Sequence, residues 1–207
     1  MKKLESTITN MVCVLTGVAV VAGGALAAVN HVTEAPIAEQ KAKTLQDGIK
    51  SVMGGGEVQM ANVDTVCQQD NKGKDVTYII YNVKDQGGQY LGAAVESTSG
   101  GFGGDLKVLV GFTPEGDILG YTLLEHAETP GLGAKADKWF QKGEKGDIVG
   151  KNPAKPLAVS KDGGEVDAIT ASTITSRAFL RAVNNAYNAY KDGQVDAQTS
   201  ATSQHKQ

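Results

Sequence analysis

Val76-Thr77-Tyr78-Ile79-Ile80-Tyr81-Asn82-Val83 decides the fold of this chain. Apart from Asn82, every residue in it is β-branched or aromatic, which suits a half-buried pleated surface and disfavours a helix. Lys72-Gly73-Lys74-Asp75 before it and Asp85-Gln86-Gly87-Gly88 after it are turn sequences of the kind that end strands. Residues 89–96 then read as a partner strand across Gly87-Gly88. Residues 106–112 and 117–124 make a second pair around Pro114-Glu115-Gly116. The expected architecture is a twisted, mainly antiparallel sheet with helices at both ends of the sequence. Its class is α+β.

N-terminal to the strands, Ala35, Ala38, Ala42, Leu45, Ile49 and Val52 recur at spacings of three and four, which predicts a helix over residues 33–53 stopped by Gly54-Gly55-Gly56. Residues 11–29 carry no charge and follow Lys2, Lys3 and Glu5. As a helix this run is roughly 28 Å long, about the thickness of a hydrocarbon core. Ala25-Leu26-Ala27 is also an acceptable signal-peptide cleavage site, so the residues alone leave an anchor and a cleaved signal both open. Beyond the strands, residues 142–155 are charged and glycine-rich, the composition of a surface loop. The last helix is expected to run to about Tyr190, with Ile174, Ala178, Phe179, Ala182, Val183, Ala186, Tyr187 and Tyr190 in one stripe. The tail from Lys191 has the composition of disorder.

The 207 residues are 41% hydrophobic with a formal charge of −3, enough for one medium domain and without the basic excess that nucleic acid demands. Cys13 and Cys67 are the two cysteines, and no Cys-x-x-Cys or other metal-ligand spacing occurs. Neither a nucleotide-binding βαβ unit nor a Ser-His-Asp constellation is visible. No catalytic residue is assigned.

The chemistry concentrates at Asp167-Ala168-Ile169-Thr170-Ala171-Ser172-Thr173-Ile174-Thr175-Ser176. Hydroxyl residues at a helix start are ordinary N-caps, and a helix N-terminus is equally a seat for phosphate. The stretch resembles the flavinylation motif of the FMN-binding subunits of bacterial Rnf and Na+-translocating quinone reductase complexes, Asp-x-x-Ser/Thr-Gly-Ala-Thr-x-Ser/Thr. Asp167, Thr170, Thr173 and Thr175 match it. Ala171 stands for the family's Gly and Ser172 for its Ala. Both are small, but Ala171 is strained wherever φ is positive. Two glycine-rich loops are similar to the same family: Gly101-Phe102-Gly103-Gly104 before a strand, and Glu128-Thr129-Pro130-Gly131-Leu132-Gly133 after one.

The resemblance implies FMN joined through its phosphate to the Thr175 hydroxyl. Thr170, Ser172, Thr173, Ile174, Glu128, Thr129, Gly131, Leu132 and Gly133 would complete the cofactor site. Arg177 is a candidate partner for the phosphate or a solvent-exposed cation. His126 reads as an acid–base group or simply as a hydrogen-bonded side chain, and Trp139 and Phe140 as a border of the flavin ring or as core. The implied function is electron relay in a membrane complex that couples ferredoxin and NAD to ion translocation, with other redox subunits and a flavin transferase as partners. The chain's length fits the Rnf G subunit better than its longer quinone-reductase counterpart.

By the same resemblance the first apolar run is retained in the bacterial cytoplasmic membrane. The implied division is a cytoplasmic N-terminus (1–10), a membrane helix (11–29), a connecting helix (30–56), an extracytoplasmic FMN-binding domain (57–190) and a tail (191–207). The alternative is a membrane-anchored structural subunit without flavin, in which Thr175 is an ordinary N-cap.

Overall fold

The structure, a computed structural model, describes residues 7–69 and 75–203. Lys2, Lys3 and Glu5, the turn residues 72–74 and the end of the tail at 204–207 lie outside the described residues. Two units divide the chain, Met1–Thr44 and Leu45–Gln207.

In the first unit the backbone is helical from Ile8 onward, part of α1 (Ile8–Val52). This helix is unbroken, whereas the sequence predicts separate segments at 11–29 and 33–53. Pro36 sits inside it and leaves the carbonyl four residues earlier without its helical N–H. Thr33 Oγ1 donates to Val29 O at 2.9 Å, a local bond compatible with continuing the helix. Leu15, Val18, Val21 and Leu26 are at least 62% exposed, and the helix is long and apolar enough to cross a membrane.

The second unit is built on five antiparallel strands in the order β1-β2-β3-β4-β5: β1 (Gln59–Gln69), β2 (Asp75–Lys84), β3 (Tyr90–Gly100), β4 (Asp105–Phe112) and β5 (Ile118–His126). The four predicted strands are present, each within a few residues of its expected bounds. Strand β1 is an addition. Met60 and Val63 on it are about half exposed, so it lacks the buried alternate face that marks a strand in sequence. At the bulge between β2 and β3, Gly92 has φ +137°, and a Cβ there would lie 2.0 Å from Phe112 O. Only glycine fits that approach.

One sheet face carries Ala93, Val95, Leu106, Val108 and Val110 against Phe179, Ala182, Val183 and Ala186 of α3 (Thr173–Ser203). Each large side chain removed from water there contributes about 1.5–3 kcal/mol. The opposite face packs Tyr81, Val83, Ala94 and Leu109 against Ile49, Val52 and Met53. Of the predicted apolar face over 33–53, only the portion from Leu45 onward packs in this way. Ala35, Ala38 and Ala42 are exposed.

Phe179 also stacks on Phe140 at 4.3 Å and meets Tyr121 edge-on at 4.7 Å. Tyr121 Oη donates to Ala136 O at 2.6 Å and accepts from Phe140 N at 3.2 Å, which fixes the short helix α2 (Ala136–Trp139) over the end of the sheet. Residues 142–155 are not purely a surface loop. Ile148 is fully buried, and Ile118 donates to Lys151 O at 3.0 Å while Gly150 donates to Ile118 O at 2.7 Å. Helix α3 continues to Ser203, past the expected end near Tyr190. Adding a residue to an existing helix avoids the nucleation cost, and the apolar stripe is not needed for that.

Candidate functional site

Three loops separated in sequence converge at the N-terminal end of α3. Ser172 leads into that helix, its carbonyl accepting both the backbone N–H and the hydroxyl of Ser176 at 3.0 Å. Ser176 Oγ in turn accepts from Ile169 N at 2.9 Å, so the approach to the helix is fixed from both sides. The next three amides, of Thr173, Ile174 and Thr175, fall in the first turn, where intrahelical acceptors are lacking. Thr175 is thus the third helical residue, one turn inside the N-cap position that Ser172 occupies.

A second loop approaches as a tight turn. Leu132 N donates to Thr129 O at 3.1 Å, with Pro130 and Gly131 (φ +78°) at the two central positions, the requirement of a type II turn. Gly131 therefore shapes the loop by its backbone. The third segment is the β3–β4 hairpin loop, closed by Gly101 N donating to Gly104 O at 2.8 Å.

Glu128 joins all three. Its Oε1 accepts from Phe102 N at 2.7 Å and Gly103 N at 3.2 Å, and its Oε2 accepts from Thr175 Oγ1 at 2.8 Å. Glu128 is 6% exposed and Thr175 1%. A buried carboxylate is tolerated because these donors replace water. The packing leaves no room for side chains at two glycines. A Cβ on Gly133 would lie 2.4 Å from Glu128 Oε2 and 2.7 Å from Thr175 Oγ1, and one on Gly101 would lie 2.2 Å from Glu128 Oε1.

Above this group lies a cavity of about 410 Å³ lined by Glu128, Thr129, Leu132, Gly133, Ser172, Thr173, Ile174 and Thr175, together with Phe102 and Ala171. Thr170 is exposed and does not line it, and Gly131 borders a neighbouring groove with Pro130 and Trp139. Phe102 was not assigned from the sequence. The signal available for it is a large aromatic between glycines, 71% exposed, where a solvated loop gains nothing from one. Ala171 adopts φ +60° and is the only described non-glycine residue with positive φ, so the strain expected of Ala at the family's glycine position is present.

The other candidates lie in different surroundings. His126 Nδ1 accepts from Glu128 N at 3.3 Å, steadying the start of the second loop. Phe140 belongs to the core, while half-buried Trp139 donates through Nε1 to Asp167 O at 2.8 Å. Arg177 forks onto Asp162 at 2.7 and 2.6 Å, and this bonding holds the Asp162 carboxyl below its ordinary range. It is not bonded to the cavity. Arg181 Nε donates to Ser99 Oγ at 3.1 Å.

The cavity is amphipathic. Its floor is lined by the buried Glu128, Ser172 and Thr175 beside the first turn of α3, and its rim by the exposed Phe102, Leu132 and Ile174. Its volume falls within the range of small-molecule sites, about 300–1,000 Å³. A phosphate end suits the floor and a flat apolar ring suits the rim, so the residues present fit FMN.

Residues 101–188 match the model of the FMN-binding domain family. The G subunit of the ion-translocating oxidoreductase complex of Shewanella baltica (strain OS223) is 32% identical over 186 residues, covering 86% of this chain and 86% of its own length. Its counterpart in Yersinia pestis is 36% identical over 185 residues, covering 80% and 81%. Among solved structures, Shewanella oneidensis NqrC matches 62% of this chain and 65% of its own at 24% identity, with a TM-score of 0.44.

Proposed function

This chain belongs to the family of G subunits of ion-translocating oxidoreductase complexes, and on that premise we propose that it relays electrons through an FMN bound covalently at Thr175. The observation that carries the reading is the Thr175 hydroxyl at the floor of an amphipathic cavity, beside the first turn of α3. The phosphate would form the ester with Thr175 Oγ1, with Ser172, Thr173 and the first-turn amides around it. Phe102, Leu132 and Ile174 would cover apolar ring surface and keep water from it. Gly133 and Thr129 would complete the wall, Gly131 would set the turn, and Thr170 would support the approach to α3. When bound, the flavin supplies one- and two-electron transfer, tuned by the hydrogen bonds and burial that this wall provides.

The electrons would pass between other subunits of a membrane complex coupling ferredoxin and NAD to ion movement, and a flavin transferase would install the cofactor. Helix α1 would anchor the chain in the bacterial cytoplasmic membrane, N-terminus inside and FMN-binding domain outside. In-gel fluorescence of the denatured full-length protein, made in a host with its transferase, tests the proposal. Fluorescence in wild type that vanishes in Thr175→Ala is expected. Dark wild type beside a labelled control protein would return the chain to the role of a flavin-free structural subunit.

A further inference from the structure

Five hydroxyl residues crowd positions 170–176, and attachment of one FMN must choose among them. Their surroundings differ. Ser176 Oγ is committed to Ser172 O and Ile169 N, and Thr170 lies away from the cavity. Ser172 and Thr173 line the cavity, but of these five hydroxyls Thr175 is the one that bonds to a carboxylate, that of Glu128. We infer that Glu128 selects and activates Thr175 by accepting its hydroxyl proton during flavin attachment. The inference rests on the attachment proposed above.

The chemistry needs such a group. A threonine hydroxyl is a weak nucleophile at its ordinary pKa and is made effective by an adjacent base held in place by a third group. Glu128 Oε2 lies 2.8 Å from Thr175 Oγ1, within the reach expected of a general base. The two amides on Oε1 hold the carboxylate in orientation and leave Oε2 as the proton acceptor. With its hydrogen directed at Glu128, the Thr175 oxygen keeps lone pairs for a phosphorus atom entering the cavity.

The step balances with a flavin dinucleotide as donor, whose pyrophosphate provides a leaving group that free FMN lacks. Thr175 Oγ1 forms a bond to the flavin-side phosphorus, and the bond from that phosphorus to the bridging oxygen breaks. The nucleoside monophosphate leaves with the electron pair, and the proton moves to Glu128 Oε2. Total charge is conserved. The carboxyl ends neutral beside the new phosphodiester, so two anions do not share the buried site. Oε1 can still accept from Phe102 and Gly103 in that state.

The test uses the full-length protein in detergent, its purified transferase and flavin adenine dinucleotide, following denaturation-resistant fluorescence and released AMP as initial rates. Glu128→Gln keeps the shape but cannot take the proton, and it should slow both rates about 100-fold or more while the protein remains folded. Glu128→Ala should be slow and should regain rate in proportion to added formate, a response that a purely structural carboxylate would not give. A Glu128→Gln rate within threefold of wild type overturns the inference, as does a folded Glu128→Ala indifferent to formate. Should both variants fail to fold, Glu128→Asp decides. Its retracted carboxylate should slow attachment at least tenfold, and a wild-type rate overturns the inference. Unlabelled wild type, or labelled Thr175→Ala, points instead to failure of the proposed attachment at Thr175.

Discussion

Gly133→Ala probes the contact on which the site depends. The added methyl would sit 2.4 Å from Glu128 Oε2, 2.7 Å from Thr175 Oγ1 and 3.0 Å from Glu128 Cβ, so the loop and α3 must separate. Overpacking of this kind costs about 1–3 kcal/mol, and a buried hydrogen bond to a charged group contributes about 1.5–3 kcal/mol. Because one displacement produces both effects, they overlap, and a loss of about 2–4 kcal/mol is expected. For a unit of this size that lowers Tm by roughly 5–15 °C. Gly131→Ala is the control. Its φ of +78° makes alanine cost about 1–2 kcal/mol, yet no atom lies within 4 Å of the new Cβ. The assay is thermal unfolding of flavin-free protein in detergent, paired with the yield of covalent flavin after exposure to the transferase. Gly133→Ala should lose Tm and at least nine-tenths of the flavin, while Gly131→Ala should lose some Tm and keep most of the flavin. Wild-type Tm and wild-type flavin in Gly133→Ala would refute the packing of the second loop onto Thr175.

Ala171→Gly removes the strain at φ +60°, about 1–2 kcal/mol, against about 0.4–1 kcal/mol of added unfolded-state freedom, so denaturant unfolding should find it about 0–1.6 kcal/mol more stable. A clear destabilisation would mean that Ala171 is not held in the left-handed region. Burial foremost raises the phenols of Tyr81 (to about 12, with Glu96 adding), Tyr121 and Tyr190. Raised folded values mean that stability is whole below pH 10 and falls as pH rises through the folded values. Tyrosinate absorbance should therefore appear partly early and partly in a late step coincident with loss of ellipticity, and a single early transition contradicts this. Cys67 is free and exposed, so a membrane-impermeant maleimide should label it in intact spheroplasts, with Cys67→Ser as the blank. Labelling only after lysis would place the sheet domain inside the cell.

How much of this was legible in the sequence depended on whether a signal is local. The β2 run and the α3 stripe announce themselves because their side chains meet the core at a fixed period. Strand β1 does not, since Asp64, Gln68 and the exposed Met60 and Val63 give it no apolar face, and its place is set by pairing with β2. The unity of α1 was hidden by the polar and charged residues after Val29, which end the uncharged run. Motif spacing placed Thr175 near a helix start, and the structure adds what spacing cannot encode. Glu128, forty-seven residues earlier in sequence, accepts a bond from Thr175, and Phe102 of a third segment completes the rim. Conversely, sequence adjacency offered Arg177 as a phosphate partner, and the helix turns it away onto Asp162.

Peptide mass spectrometry of the protein, purified from a host that contains the transferase, reads attachment at Thr175 without intermediary. The fragment containing residues 167–177 should gain the mass of FMN less one water, with fragmentation placing it on Thr175. An unmodified fragment beside a flavinylated control protein, or the added mass on Thr173 or Ser176, would contradict the account.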